Sequence, residues 1–171
     1  MRPHQLILLA ASVAIGMIWI FLIQNWIFLN LFAGLLVGPG LDLNEYLQVG
    51  SSPAFSIMWA GCIIALLIWI AQTWSAKPRS SKEIRNKQSW WYIAATLLTL
   101  FGWLCLAWFT AFQWNANGTS ASYPIPVGGW IFLMGFVVLD VMLLFWIPTL
   151  LSSPRTYRFV VPGAVTFLGS H

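Results

Sequence analysis

Asp140 stands in GGWIFLMGFVVLDVMLLFWIPTLL and is the only charged residue between Val127 and Leu151. At 1.5 Å per helical residue it lies about 20 Å from Val127, past the midplane of a bilayer. A carboxylate at that depth costs at least about 2.5 kcal/mol, so the group must be neutral, tied to polar partners or open to water. Two chemistries follow. One is a site for a proton or cation; the other is a neutral acid whose hydrogen bond locks helix packing. No lysine or arginine lies inside an apolar run to neutralise it. Thr96 and Thr99 share one face of the preceding apolar segment at similar depth and are its nearest expected neighbours.

The remaining reactive side chains are sparse. Asp42 and Glu45 are three residues apart after Gly38-Pro39-Gly40, the spacing of a helix capping box, so they mark a short surface helix better than a cation site. Cys62 and Cys105 each sit inside an apolar run and read as small packing residues, with a spacing unlike any zinc pattern. The two histidines are His4 and His171, both outside the apolar runs, which excludes a haem held between two intramembrane histidines. The chain shows no serine–histidine–acid set, no phosphate-cradling glycine loop and no HExxH, so the expectation is a protein that is not an enzyme. Sixteen per cent aromatics are compatible with a carotenoid, quinone or lipid groove, or with belts and packing alone.

The elements that must position Asp140 follow from composition. Only 7% of the 171 residues are charged and 60% are apolar, with twelve tryptophans. Too few polar groups exist to cover a water-facing surface, whereas a lipid-facing one needs almost none. The chain is expected to be an all-α integral membrane protein and a single membrane domain, residues 1–171. Its four spans cover about 5–25 or longer, 53–74, 90–112 and 127–151. The first reads as an uncleaved span rather than a signal peptide, because the apolar run continues far past the small-residue Ser12-Val13-Ala14. Ile27–Val37 either lengthens that helix or lies along the outer surface.

Between the second and third spans lies a basic loop, 75–89, with Lys77, Arg79, Lys82, Arg85 and Lys87 against Glu83. With Arg2, Arg155 and Arg158, all eight cations fall on one side of a four-span arrangement. The positive-inside rule then places both termini in the cytoplasm and pairs the helices as two hairpins, with the short outer helix between the first and second. The final stretch, 152–171, is apolar but interrupted by arginines and Pro-Gly; it is too short to span and is expected at the cytoplasmic interface or docked on a partner.

No basic patch interleaved with stacking aromatics lies on a soluble module, so nucleic acid is not an expected partner. Expected partners are membrane lipids and other membrane subunits or further copies of the chain. The cations named above are the candidate lipid or partner contacts. Three functions are compatible: an accessory, assembly or scaffold subunit of a larger membrane complex; a small oligomeric transporter or channel-like protein using Asp140; and a binder of an apolar cofactor or lipid. The expected location is a bacterial plasma membrane or an internal, thylakoid-type membrane.

Overall fold

The computed structural model describes residues 3–36, 44, 47–74, 80–109, 125–154, 157 and 160–163. These residues form helices and no strand, and four of the helices are long and apolar enough to cross a membrane. The first runs α-helically over Pro3–Ile18, passes through a π-helical stretch, Trp19–Gln24, and continues as Asn25–Asn30. After a turn, a separate short helix covers Ala33–Leu36, so of the apolar stretch beyond position 26 residues 27–30 lengthen the first helix and 33–36 do not. The second helix is Ser52–Trp74, preceded by a π-helical turn, Leu47–Ser51. The third is Ser81–Ala107. The fourth is α-helical over Val127–Val141, π-helical over Met142–Trp146 and α-helical again over Ile147–Ser152.

The third helix departs from the expected boundary. It begins nine residues before Trp90, so Lys82, Arg85 and Lys87 belong to its first two turns rather than to a loop. Ser80 is extended and its hydroxyl accepts from the Glu83 backbone N–H, satisfying one of the orphan donors of the helix start. Lys77, Arg79, Arg155, Arg158, Asp42 and Glu45 lie outside the described residues, as do residues 110–124 between the third and fourth helices.

Helical periodicity inside uniformly apolar sequence decides which side chains are buried. On the second helix the inward stripe is Phe55, Met58, Cys62, Leu66, Trp69 and Thr73, spaced three or four apart, and it packs on both the third and fourth helices. The first helix packs on the second and fourth, and the third packs on the same two, so the first and third occupy opposite corners of the bundle. The outward-facing stripes keep large apolar groups exposed, among them Leu104 and Val127. In water such a surface would drive aggregation; in hydrocarbon it carries no penalty.

Each end of the bundle is fastened differently. At one end Phe28 is fully buried among Phe55, Phe132 and Phe136, with ring centroids 4.9–5.8 Å apart. Such offset and edge-on pairs add to area burial. At the other end, indole N–H groups reach across to the last turns of the fourth helix. Trp91 donates to Thr149 Oγ1 at 3.0 Å, Trp69 to Ser153 Oγ at 2.9 Å and Trp74 to the Ser152 carbonyl at 3.2 Å. Trp146 donates to the Pro162 carbonyl at 2.8 Å, drawing the segment after the helix onto the bundle. Tyr157, Val160 and Val161 are fully buried there, so this part of the tail docks on its own chain.

Close approach is concentrated at small residues. A Cβ on Gly102 would lie 2.6 Å from Val137 Cγ1 and 2.7 Å from Met58 Sδ, which makes this glycine the contact point of the second, third and fourth helices. One on Gly129 would strike the Leu35 carbonyl, where the short helix after the first span crosses the start of the fourth. Gly135, by contrast, has open space where a Cβ would stand, so no close helix contact is made there.

Candidate functional site

Asp140 lies midway between Val127 and Ser152, the bounds of the fourth span, and its side chain is fully buried. The site is therefore mid-span rather than displaced toward the basic end. Oδ1 accepts a 2.6 Å hydrogen bond from the Trp19 indole N–H. Oδ2 is buried without a hydrogen-bond partner. Gln24 comes close enough to the carboxyl to interact with it, yet both its Oε1 and Nε2 are buried and neither meets hydrogen-bond geometry. Cys62 of the second helix is also fully buried and close enough to feel the carboxyl's charge. Four polar groups from three helices thus meet in the apolar centre.

The backbone explains how the first helix supplies two of them. In a regular α-helix residues five apart are rotated by about 140° and face different ways. A π-helical turn closes between residues i and i+5 and brings such residues onto a common face. Trp19 and Gln24 are the two ends of the π-helical stretch Trp19–Gln24. A second stretch, Met142–Trp146, starts two residues after Asp140. Both helices that make the Trp19–Asp140 bond are therefore locally widened beside it, a departure from α geometry that recurs at functional positions.

Thr96 and Thr99 do not join this cluster. Thr99 donates to the Ala95 carbonyl one turn back at 3.0 Å, as Ser56 does to Ser52 at 2.6 Å. Both threonines line an outward-facing groove between the third and fourth helices, whose other wall is Val138, Val141 and Met142. The face of the fourth helix that carries Asp140 looks instead toward the first and second helices. Cys62 and Cys105 are free thiols, the first fully buried and the second half-buried. Lys82 and Arg85 are exposed, whereas Lys87 is half-buried and donates to Gln72 Oε1 at 3.2 Å, tying the third helix to the second.

Trp19 and Gln24 are the site residues that sequence reasoning missed. Gln24, with Asn25 and Trp26, resembles the polar edge of a span of ordinary length. The part of the first helix long and apolar enough to cross a membrane is Leu9–Asn30, however, which places Gln24 inside it. A glutamine six residues short of the end of a long apolar run was the available signal.

Chemically, the cluster offers a carboxyl oxygen and an amide without partners, enclosed by indole, thiol and hydrocarbon. The carboxyl is a group that can take up or release a proton, with the Gln24 amide close beside it. Among the described residues no group of three or more His, Cys, Asp or Glu side chains is positioned to hold a metal ion. Comparison with protein-family models, with curated proteins and with solved structures found no match for this chain.

Proposed function

We propose that the protein is a small non-enzymatic subunit that supports the assembly or stability of a larger membrane complex. The observation that carries this reading is the use made of its interior polar groups. Asp140 is sealed from solvent and hydrogen-bonded to Trp19, and the indoles of Trp69, Trp74 and Trp91 are bonded to the end of the fourth helix. Polar side chains spent on inter-helix fastening give a rigid bundle whose outward surface is what it presents to others. In this reading the basic end, with Lys82 and Arg85, faces the cytoplasm, both termini share that compartment, and the membrane is a bacterial plasma membrane or an internal photosynthetic one.

The test is cross-linking in native membranes followed by gentle extraction, a native gel, and mass spectrometry with an absorption spectrum on the same band. The expected result is co-migration with defined partner subunits. A lone monomer, uncross-linked in the membrane, overturns the reading.

A second reading, a small oligomeric transporter or channel-like protein with Asp140 as its proton or cation site, draws support from the partnerless Asp140 Oδ2 and Gln24 amide. It requires that Asp140→Asn abolish pH- or ion-dependent flux in liposomes while leaving the fold intact. Equal flux in wild type and variant removes it.

A further inference from the structure

The third helix carries an exposed stripe that changes character along its length. Lys82, Arg85, Ser89, Tyr92 and Thr96 follow one another at spacings of three or four and are all exposed, so they lie on one face. Cations occupy the first two turns of this face, a hydroxyl and a phenol come next, and from Tyr92 onward the same face becomes one wall of the groove shared with the fourth helix. That groove has a volume of about 320 Å³ and opens outward. Ala95 lies on the same wall, Val138, Val141 and Met142 form the facing one, and Trp91, Trp146 and Pro162 line the basic end. From Trp91 to Thr99 on one wall, and from Trp146 to Val138 on the other, the groove runs about 12 Å at 1.5 Å per residue. One leaflet of a bilayer's hydrocarbon is about 15 Å deep.

We propose that this groove is a binding site for one anionic phospholipid, with an acyl chain lying against Ala95, Val138 and Met142 and the headgroup phosphate held by Arg85 and Lys82. Three features select this occupant. The groove begins at the tryptophan level of the bundle and runs about 12 Å, most of the depth of one leaflet, along which a lipid tail lies. Its cations stand above the mouth on the same helical face, where a phosphate sits when a tail fills the groove, and basic residues beside inter-helix pockets at a membrane surface recognise such headgroups. A second copy of the chain docked symmetrically on this face would set Lys82 and Arg85 against their own counterparts, a like-charge juxtaposition that opposes association. The proposal does not rest on the accessory-subunit reading.

The experiment is native mass spectrometry of the full chain released from bilayers of equal phosphatidylcholine and phosphatidylglycerol. One retained phosphatidylglycerol per chain is expected, enriched over phosphatidylcholine. Lys82→Gln and Arg85→Gln should each lower that enrichment roughly fivefold. Ala95→Phe should fill the groove and remove both lipids. Because Ala95→Phe risks disturbing helix packing, the charge variants decide: an enrichment unchanged in the double variant overturns the proposal. So does retention of a quinone or carotenoid in place of lipid, retention of no lipid by the wild type, or a disulfide-linked dimer formed through Thr96→Cys.

Discussion

The Trp19 indole and the Asp140 carboxyl, 121 positions apart in the chain, meet at 2.6 Å in the centre of the bundle and join the first helix to the fourth. Removing the donor as Trp19→Phe leaves Oδ1 buried beside an already partnerless Oδ2. An unsatisfied buried acceptor costs about 1–3 kcal/mol, although hydrogen bonds between membrane helices average nearer 0.6 kcal/mol in coupling. Asp140→Asn keeps an acceptor for the indole and should cost less than Trp19→Phe. Reversible unfolding in mixed micelles, run as a double-mutant cycle over the two positions, measures the coupling. Additive effects would mean that the bond contributes nothing.

Gly102 is the position where added bulk has least room. Gly102→Ala places a methyl against Val137 and Met58, closer than ordinary van der Waals contact allows. Overpacking of this kind costs about 1–3 kcal/mol, offset in part by the better helix propensity of alanine. Gly135→Ala meets open space and should be neutral or mildly stabilising. Thermal melts of the two variants in one detergent should therefore move in opposite directions or differ clearly in size.

The four spans were legible because an apolar run of span length has few alternatives, and the existence of the second and fourth helices at Ser52–Trp74 and Val127–Ser152 follows closely from it. The start of the third helix was misplaced because Ser81–Ser89 is polar, and polarity between two apolar runs reads as loop. A charged helix that projects beyond the hydrocarbon has the same composition, and the distinguishing signal was Ser80 followed three residues later by Glu83. The partners of Asp140 were hidden for a different reason. Inside a uniformly apolar segment nothing reports which face is inward, and a π-helical stretch shifts the face of every residue beyond it without leaving a mark in composition. Trp19 and Gln24 consequently had no visible link to Asp140, while Thr96 and Thr99, aligned by regular α spacing, were drawn to it wrongly.

Ser80 makes that helix start testable. Its hydroxyl accepts from the Glu83 N–H, and Ser80→Ala removes the cap at a typical cost of about 1 kcal/mol. The loss should stay local. Hydrogen exchange at the amides of Lys82 to Arg85 should quicken several-fold, while exchange beyond Trp91 stays unchanged. Uniform quickening along the whole helix would show instead that the first turns and the apolar part open together.

Tyr157 gives the docked tail a pH signature. Its side chain is fully covered and its hydroxyl has no hydrogen-bond partner. Burial disfavours the phenolate, the nearby Glu83 charge adds to this, and together they raise the phenol above its ordinary value of 10.0. A group that binds its proton more tightly when folded contributes stability that is complete below the ordinary value and is lost as pH rises through the raised one. The tail should therefore stay docked through neutral and mildly alkaline pH and loosen only above about pH 10, where ionisation expels Tyr157 from its site. Spectrophotometric titration should show one phenol ionising after the others, with trypsin cleavage after Arg155 or Arg158 rising over the same pH range. Tyr157→Phe removes both the late phenol and the partnerless hydroxyl, so it should abolish the alkaline release without destabilising the tail at neutral pH. Unchanged alkaline cleavage in Tyr157→Phe would mean that another group controls the docking.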